Sequence, residues 1–374
     1  MKLAVVCDLL EEGWPSMDLV ADELIAHGGR ADVELTRMRP IVPRLVSGFL
    51  DPSAQAAGLA RRWGRRVGIG GLRYGYYPYY ARQRRGFDWA HVADHSYAHL
   101  VPMLPSGRAG VFCHDIDAFR ALFQPARRPW SRLLASLTLA GMRRARVVFH
   151  STNEVREEIL EHGLVPAERL VAAPYGVAAE FQPDPRTEDA EVVPRGPFLL
   201  HVGRLVPRKN PERLLQIVAA VRDQRRELEF VQIGGTFTAE QQAWLRDHGL
   251  ENATHQFRNL TRATLAAYYR RASVVLLPSL SEGFGLPLVE GLACGAPVAA
   301  SDIAVFREIG TEALGYVDPR NVDAWVTAVR SLLEGGGPSR AERLAIARRY
   351  SWSNHAETIV SAYLRLDAGR GLTA

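Results

Sequence analysis

The chain has 374 residues, of which 47% are hydrophobic and 23% are charged, and its formal net charge is +5. This length exceeds what one hydrophobic core usually covers, so two domains are expected. The composition is that of an ordinary globular protein, without internal repeats or low-complexity tracts. No apolar run approaches the roughly 20 residues that cross a bilayer, which excludes a membrane-spanning chain.

Cysteine use and the N-terminal residues indicate the compartment. The three cysteines are far apart in apolar runs, a pattern that favours buried thiols over disulfides or metal ligands. Acidic residues directly follow the short apolar run at the N-terminus, unlike a signal peptide. We therefore expect a cytoplasmic protein, either free or peripheral on the inner face of the cell membrane.

Positive charge is concentrated in the first half of the chain. Residues 44–146 hold 17 arginines and five aspartates, without glutamate or lysine. Such an excess suggests an anionic partner, either a membrane surface or a phosphorylated acceptor. Within it, Arg61–Arg85 mixes arginines with Trp63 and a tyrosine cluster, which suits a membrane interface. A solvated arginine-rich face is the alternative, and nucleic acid is not expected because no nucleic-acid-binding motif is present.

The first half reads as alternating strands and helices. Residues 2–8 form a short apolar run, and an amphipathic helix pattern then ends at Gly28 and Gly29. After a later strand, Ser151 is predicted to cap a helix, with Glu154 completing a capping box. Further buried parallel strands are predicted at Trp89–Ala93, Ala109–Cys113, Val147–His150 and Leu170–Ala173.

A second α/β series follows a predicted linker. Residues 181–196 are rich in proline and charge and lack an apolar face, which is typical of a linker. Strand and helix patterns then alternate from FLLHVGRL to a helix near residues 323–333. We predict an α/β protein with two doubly wound, Rossmann-like domains, residues 1–180 and 197–355, that bind ligand at the carboxyl ends of their strands.

The segment Ser281–Glu290, SEGFGLPLVE, places two carboxylates eight positions apart around a glycine turn and a helix start. Gly283 and Gly285 can adopt backbone angles that expose N–H groups. Those groups and the positive end of the helix would receive an anionic diphosphate or its sugar. Glu282 and Glu290 could each accept hydrogen bonds from two vicinal hydroxyls, on a ribose and on a hexose.

A structural interpretation of the same two glutamates remains open at the level of sequence. Glu282 could be a solvated loop residue. Glu290, predicted in the first helical turn, could be a surface carboxylate that matches the helix dipole.

A basic loop follows the strand FLLHV. Gly203 ends the strand, and Arg204 and Lys209 place two cations after it, where they could neutralise a diphosphate as its bond to a sugar breaks. Only two of the 46 basic residues are lysines, so a compact ammonium is a notable choice at position 209. Nothing in this loop resembles an acidic Asp-x-Asp metal site, and the alternative is a basic loop that caps the next helix.

These motifs, in this order and followed by GAPVAASD at residues 295–302, resemble the retaining family 4 glycosyltransferases of GT-B fold, within glycosyl transferases group 1. The resemblance covers Gly196–Pro319 closely and the first domain more loosely. It implies two Rossmann-like domains that face a central cleft. It also implies that the C-terminal helix, residues 356–374, packs back on the N-terminal domain.

The resemblance assigns roles to the second domain. Arg204 and Lys209 would bind the donor diphosphate, Glu290 the ribose hydroxyls, and Glu282 the hydroxyls of the transferred sugar. Asn259 and Leu260 match the segment that meets the nucleobase. The complete predicted donor-binding set is Gly13, Gly203, Arg204, Lys209, Asn259, Leu260, Glu282, Gly283, Phe284, Gly285, Leu286 and Glu290.

In the first domain, the resemblance points to the loops after the strands. Gly13 matches a glycine near the phosphates, although Trp14 stands where many relatives have a second glycine. His114 and Asp115 match a His-Asp pair beside the transferred sugar, where a histidine could hydrogen-bond a hydroxyl or the leaving group. A structural histidine is the alternative. The predicted catalytic residues are His114, Glu282, Arg204 and Lys209, and the acceptor candidates are Trp14, His95 and Asp115.

Three histidines, His91, His95 and His99, recur at the i, i+4 spacing of a helical metal site. The segment follows a probable strand end and carries no matching carboxylate motif, so no metal is predicted.

The sequence thus predicts a metal-independent, retaining hexosyltransferase without a cofactor. It would use a UDP- or GDP-sugar as co-substrate and a glycan or lipid-linked acceptor, in the synthesis of bacterial cell-surface polysaccharide or glycolipid. A sugar phosphorylase or a nucleotide-sugar epimerase of the same fold is one alternative. A non-catalytic sugar-nucleotide-binding scaffold is another.

Overall fold

The computed structural model describes residues 1–13, 15–42, 59–124, 129–311 and 314–369. The chain divides into two compact units. Unit 1 comprises Met1–Pro174 together with Trp352–Ala374, and unit 2 comprises Tyr175–Ser351.

Unit 1 is built on a six-stranded parallel sheet with the strand order β2-β1-β3-β4-β5-β6. Its strands are β1 (Lys2–Val6), β2 (Glu34–Met38), β3 (Trp89–Val92), β4 (Ala109–Cys113), β5 (Val147–His150) and β6 (Leu170–Ala172). Its helices are α1 (Pro15–Gly28), α2 (Leu59–Gly71), α3 (Tyr77–Gln83), α4 (Arg120–Phe123), α5 (Pro129–Arg144), α6 (Asn153–Glu161) and the C-terminal α14 (Trp352–Ala368).

The order of the strands in unit 1 reverses between β1 and β3. Chain order runs one way from β1 to β2 and the other way from β3 to β6. The strands β3, β4 and β5 are buried over their whole length, as expected for apolar runs in a sheet covered on both faces. In such sheets ligands bind outside the carboxyl ends of the strands where the order reverses, which directs attention to the loops after β1, β3 and β4.

Helix α14 belongs to unit 1 although it ends the chain. Tyr363 is fully buried there, and its hydroxyl lies 3.0 Å from His91 Nδ1 in β3. Trp89 Nε1 donates a hydrogen bond to Asp367 Oδ1 at 3.0 Å. The helix therefore completes the core of unit 1, on the domain where the resemblance places it.

Unit 2 repeats the architecture with the strand order β12-β11-β10-β7-β8-β9, again all parallel. Its strands are β7 (Phe198–Val202), β8 (Glu229–Ile233), β9 (Thr254–Phe257), β10 (Val274–Leu277), β11 (Val298–Ser301) and β12 (Tyr316–Val317). Its helices are α7 (Pro211–Gln224), α8 (Ala239–Asp247), α9 (Arg262–Arg271), α10 (Leu286–Ala293), α11 (Ala304–Gly310), α12 (Val322–Leu333) and α13 (Arg340–Ala347).

The segment predicted as a linker, residues 181–196, lies within unit 2. The Asp189 carboxylate accepts hydrogen bonds from the nearly buried Arg270 guanidinium of α9, and Val192 is fully buried. Its prolines and charges give no apolar face, but the ion pair between Asp189 and Arg270 attaches it to α9, and its buried side chains include Phe181 and Val192. The unit boundary falls at Pro174 instead of residue 180.

The predicted cap of α6 also differs. Thr152, not Ser151, is the N-cap, and its hydroxyl accepts from Val155 N–H at 3.4 Å. Glu154 is then the second helical residue, so it does not occupy the position that a capping box needs.

Within the described residues, no helix combines the length and the apolar character that a bilayer crossing requires.

Candidate functional site

The loop between β7 and α7 holds Lys209 close to the end of its strand. Gly203 has φ +153°, and Asn210 adopts the left-handed conformation at φ 57°. The Asn210 amide donates to Pro319 O at 3.1 Å, which fixes the entry to α7. Lys209 ends a 3₁₀ turn, Pro207–Lys209, and its side chain is only 9% exposed. The loop thus carries a buried ammonium, whereas Arg204 is exposed.

The Glu282 carboxylate accepts three hydrogen bonds. Lys209 Nζ and Ser279 Oγ donate to its Oε1, at 2.5 and 2.7 Å. Arg208 Nη1 donates to its Oε2 at 2.8 Å. A carboxylate offers about four acceptor positions, so roughly one is left for a ligand hydroxyl.

Glu282 is therefore not a solvated loop residue, since its side chain is 4% exposed. Burial opposes its ionisation, but the Lys209 ammonium and the Arg208 guanidinium outweigh burial and lower the pKa of the carboxyl. Glu282 stays negatively charged at neutral pH, and its partners keep two fixed positive charges beside it.

Glu290 is also buried, but its pKa shifts in the opposite direction from that of Glu282. It is the fifth residue of α10, so the predicted placement in the first turn is wrong. Its side chain is buried, and the Tyr269 hydroxyl donates to its Oε2 at 2.9 Å. Burial raises the pKa of Glu290 to about 7. A surface carboxylate that matches the helix dipole is excluded, and this group changes charge near neutral pH.

The turn between the two glutamates requires glycine at one position. Gly285 is the N-cap of α10 at φ +89°, and a Cβ there would lie 2.7 Å from Phe306 Cε1. The Phe284 ring is buried against Tyr175, with ring centroids 4.8 Å apart. Because that side chain faces the core, only its backbone is suited to a ligand. The first N–H groups of a helix lack partners within the helix, so this end of α10 suits an anion.

Asn259 and Leu260 lie between β9 and α9. Asn259 is exposed and left-handed at φ 55°, and Leu260 is partly buried. Thr261 caps α9 by accepting from Thr264 N–H at 3.1 Å. The loop therefore follows a strand end of the same sheet as Gly203.

In unit 1, His114 and His95 meet at the ends of β4 and β3. His114 N–H donates to His95 Nδ1 at 3.3 Å. His114 Nε2 donates to Ala93 O at 2.7 Å, so its Nδ1 is the acceptor nitrogen. Burial lowers the pKa of His114, which keeps the ring neutral. The buried ring also stacks on Phe112, so a structural role describes several of its contacts.

Asp115 and Asp94 lie on either side of His95. His95 Nε2 is 3.6 Å from Asp115 Oδ1, and its Nδ1 is 3.3 Å from Asp94 Oδ1. The Asp115 side chain is 46% exposed, whereas Asp94 is buried. The acceptor candidates His95 and Asp115 are thus neighbours, and Trp14, the third candidate, lies outside the described residues.

Asp8 and Asp94 form a buried carboxyl pair that the sequence analysis missed. Burial raises the pKa of Asp8 well above its usual range, and the neighbouring Asp94 raises it further. Burial opposes ionisation of Asp94 too, but His95 and the hydrogen bonds from Ser96 outweigh it and lower its pKa to about 2. Burial and the neighbouring carboxylate thus favour the protonated form of Asp8, whereas Asp94 is ionised. Position two residues after the end of β1 was the signal that could have identified Asp8.

Gly13 follows a short turn, Leu10–Glu12, at the end of β1. It is exposed and left-handed at φ 71°, and its N–H donates to Leu10 O at 3.1 Å. The conformation suits glycine, as expected for a residue that lets a ligand approach the backbone.

The three histidines at helical i, i+4 spacing do not share a helix face. His91 is inside β3, and His95 and His99 lie in the 3₁₀ segment His95–Met103. Across the described part of the chain, no group of three or more histidine, cysteine, aspartate or glutamate side chains is placed to hold a metal ion.

Three further residues at the unit 2 site escaped prediction, namely Arg208, Ser279 and Tyr269. Arg208 adjoins Lys209, so its position was a usable signal. Ser279 lies three residues before Glu282 in the same loop, so its position was a signal too, whereas Tyr269 lies 21 residues from Glu290 and carried none.

Some arginines of the segment Arg61–Arg85 bond to other residues of unit 1. Arg65 Nη2 donates to Glu11 O at 2.6 Å, and Arg73 forms an ion pair with Glu12 at 3.1 Å. The side chains of residues 59–63 and 66 are outside the described part of the structure. Arg82, Arg84 and Arg85 are exposed at the other end of the segment.

Comparison with characterised proteins identifies relatives for much of the chain. D-inositol 3-phosphate glycosyltransferase from Kineococcus radiotolerans is 32% identical, over 59% of this chain and 57% of that protein. The protein of that name from Pseudarthrobacter chlorophenolicus is 30% identical, over 59% and 55%. O-antigen chain mannosyltransferase B from Escherichia coli is 25% identical, over 68% and 70%. The match with the first two relatives thus spans little more than half of their length.

Solved structures agree with the fold over almost the whole chain. Sucrose-phosphate synthase from Thermosynechococcus elongatus has a TM-score of 0.71 at 18% identity, covering 99% of this chain and 100% of its own. Anabaena HepE, solved in complex with UDP, has a TM-score of 0.69 at 16% identity, covering 97% and 99%. The predicted α/β fold with two Rossmann-like units is confirmed.

Residues 186–349 match the family model described as glycosyl transferases group 1. This range contains Arg204, Lys209, Asn259, Leu260, Glu282 and Glu290. This part of the chain is therefore similar to glycosyl transferases group 1.

Proposed function

We propose that this protein is a retaining hexosyltransferase of family 4 that transfers a hexose from a nucleotide diphosphate sugar to an acceptor hydroxyl. The observation that carries the proposal is the buried contact of Glu282 with Lys209 and Arg208, one turn before the start of α10. A scaffold has no need for a desolvated carboxylate with two cations beside an anion-binding helix end.

Unit 2 would bind the donor. The Lys209 ammonium has three N–H donors and gives one to Glu282, so two remain for diphosphate oxygens. Arg204 would add an exposed guanidinium, and the N–H groups at residues 284–286 would meet the same anion. Glu282 would accept a hydroxyl of the hexose at its remaining position. Glu290, in its ionised form, would accept the ribose hydroxyls.

During transfer, the bond between the anomeric carbon and the diphosphate oxygen breaks and a bond to the acceptor oxygen forms on the same face. Negative charge grows on the departing diphosphate, and Lys209 and Arg204 would stabilise it. The acceptor hydroxyl passes its proton to the departing diphosphate oxygen as the new bond forms. His114, with an acceptor nitrogen, would hydrogen-bond a sugar hydroxyl.

The names of relatives favour particular substrates. Two relatives are named for D-inositol 3-phosphate and one for an O-antigen chain, and HepE was solved with UDP. We infer a UDP- or GDP-hexose donor and a glycan or lipid-linked acceptor of the bacterial cell surface. A phosphorylated polyol is the second candidate acceptor, because Arg-rich unit 1 suits an anionic substrate.

The decisive experiment follows nucleotide release from UDP-, GDP- and ADP-sugars, with water, D-inositol 3-phosphate or membrane lipid extract as acceptor. We expect one donor to be consumed, with an acceptor-dependent product of unchanged anomeric configuration. Release that depends only on inorganic phosphate would indicate a phosphorylase, and conversion of the donor sugar without release would indicate an epimerase. If none of the donors raises the melting temperature of the protein, the enzyme proposal is contradicted.

Peripheral membrane binding would use the exposed end of the segment Arg61–Arg85. Arg82, Arg84 and Arg85 are exposed there, as is Tyr79. Vesicle flotation should recover the protein with anionic but not neutral lipid, and R84A/R85A should reduce that recovery. Equal recovery on both vesicle types, or none on either, would contradict this surface.

A further inference from the structure

Arg73 is a buried arginine to which neither the predicted site nor the proposed function gives a role. It lies in a single π-helical turn, Leu72–Tyr76, between α2 and α3. Its side chain is 16% exposed. Turns of this kind inside helices are frequent at functional sites, and a buried guanidinium needs partners for its donors.

The Arg73 guanidinium joins two loops of unit 1. Its Nη1 donates to both carboxylate oxygens of Glu12 at 3.1 Å, and its Nη2 donates to Ser96 O at 2.5 Å. Glu12 ends the turn after β1 and directly precedes Gly13. Ser96 follows His95 in the loop after β3. One side chain therefore fixes the loop with Gly13 to the loop with His95.

Contacts with the side chains of Tyr97 and His99 strengthen this junction. The guanidinium carbon of Arg73 lies 4.2 Å from the centroid of the Tyr97 ring. The Tyr97 hydroxyl in turn accepts from Leu9 N–H at 3.1 Å, which is a second link between the same two loops. His99 Nε2 donates to Arg73 O at 3.0 Å and holds the π-helical turn against the second loop. Glu12 is nearly buried in this arrangement, with a side chain that is 6% exposed.

The hydrogen bonds of the junction extend to the acceptor candidates His95 and Asp115. Ser96 N–H and Oγ both donate to the Asp94 carboxylate, at 2.8 and 2.5 Å. Asp94 lies against His95, and His95 lies against the partly exposed Asp115. A displacement of Ser96 would therefore move the groups that were assigned to the acceptor.

We propose that Arg73 is a positioning residue for the acceptor side of the reaction, because it holds the loops 10–13 and 94–97 in one arrangement. The role assigned to those loops rests on the proposed function, whereas the coupling of the loops does not. Arginine is specifically required: its planar fork bonds Glu12 and Ser96 at once, whereas a lysine ammonium is a single point charge.

The test compares R73K with R30K in the 374-residue protein. Arg30 is an exposed arginine of unit 1 whose Nε lies 3.4 Å from Asp32 Oδ1, so R30K is a matched substitution of a carboxylate-paired arginine outside the junction. The measurements are hydrogen–deuterium exchange of residues 9–13 and 93–97, the dissociation constant of UDP, and UDP release from UDP-glucose with D-inositol 3-phosphate or water.

We expect R73K to speed exchange in both loops at once and to slow UDP release roughly tenfold, about 1.4 kcal/mol of activation free energy. The UDP dissociation constant should change less than about threefold, because unit 2 carries the proposed nucleotide contacts. R30K should leave all three unchanged. Unchanged exchange in R73K, or faster exchange in only one loop, would overturn the proposal. A loss of UDP affinity equal to the loss of turnover would do the same.

Glu12→Gln provides an independent variant if R73K folds poorly. The amide keeps the shape and one acceptor oxygen but removes the charge, so exchange in both loops should rise less than in R73K. The effects of E12Q and R73K should be non-additive, since both act on one contact; additive effects would contradict the coupling. If the wild type binds no nucleotide, the proposed function fails, while the exchange data still decide whether Arg73 couples the loops.

Discussion

The two units place buried acids at the carboxyl ends of similar sheets, but they surround those acids differently. In unit 2, Glu282 contacts two cations, and its pKa is lowered. In unit 1, Asp8 faces the carboxyl of Asp94, and its pKa is raised. The same strand-end position therefore yields a permanent charge in one unit and a retained proton in the other. Neighbouring charge, and not burial alone, makes the difference.

This contrast suits the two proposed halves of the reaction. A donor diphosphate is a permanent anion, and fixed charges are needed to orient and stabilise it. An acceptor hydroxyl must lose a proton, and unit 1 holds groups of different protonation close to its exposed residues. Glu290 is the exception in unit 2, because its nearest hydrogen-bond partner is the Tyr269 hydroxyl and its pKa is about 7.

The largest effect is expected for E282Q, which removes the carboxylate charge that contacts Lys209 and Arg208. Loss of the carboxylate leaves the buried Lys209 without its anionic partner, and breaking a buried ion pair typically costs about 3–5 kcal/mol. Turnover should fall roughly 100-fold or more, by analogy with the loss of one stabilising group at a charged transition state. Steady-state UDP release and urea unfolding measure the two effects. The control E334Q changes an exposed glutamate of unit 2 and should alter neither.

A smaller effect is expected for Glu290, and the pH dependence of UDP binding tests it. The ionised form of Glu290 accepts ribose hydroxyls better, so affinity should rise up to about tenfold between pH 6 and pH 8. In E290Q this rise should disappear. Calorimetric titration at several pH values measures it, and an identical slope in both proteins would exclude Glu290 as the ribose contact.

Protein stability should respond to Glu290 in the opposite direction. The folded pKa of about 7 exceeds the ordinary value of 4.5, so between these pH values the folded protein holds a proton that the unfolded chain releases. The contribution of Glu290 to the free energy of unfolding therefore falls as pH rises from 4.5 to 7. Removing this group in E290Q should flatten that part of the stability profile.

The smallest effects should distinguish the two aspartates of unit 1. Asp8 keeps its proton, so D8N replaces one neutral group by another of the same shape and should change turnover less than about twofold. D94N removes the charge that Ser96 and His95 contact and should slow turnover several-fold, roughly the effect of one charge-assisted hydrogen bond. Equal losses in D8N and D94N would contradict the different protonation of the pair.

The sequence predicted most strands and the identity of the main donor-site residues. Apolar runs gave β3, β4 and β5, and the spacing of glycines and charged residues gave Glu282, Glu290 and Lys209. These features depend on neighbouring residues in the chain, since a strand needs a buried run and a left-handed turn needs glycine. The match of residues 186–349 to glycosyl transferases group 1 follows from the same local motifs.

The tertiary structure alone decided the partners and the charge states. Arg208 reaches Glu282 from another loop, Tyr269 reaches Glu290 from another helix, and the Asp8 and Asp94 pair joins two strand ends. The arginine excess of the first half likewise concealed the roles of Arg65 and Arg73 inside unit 1. A pKa depends on burial and on charges that are distant in sequence, so local patterns determined which residues occupy the strand ends, and packing determined what each can do there.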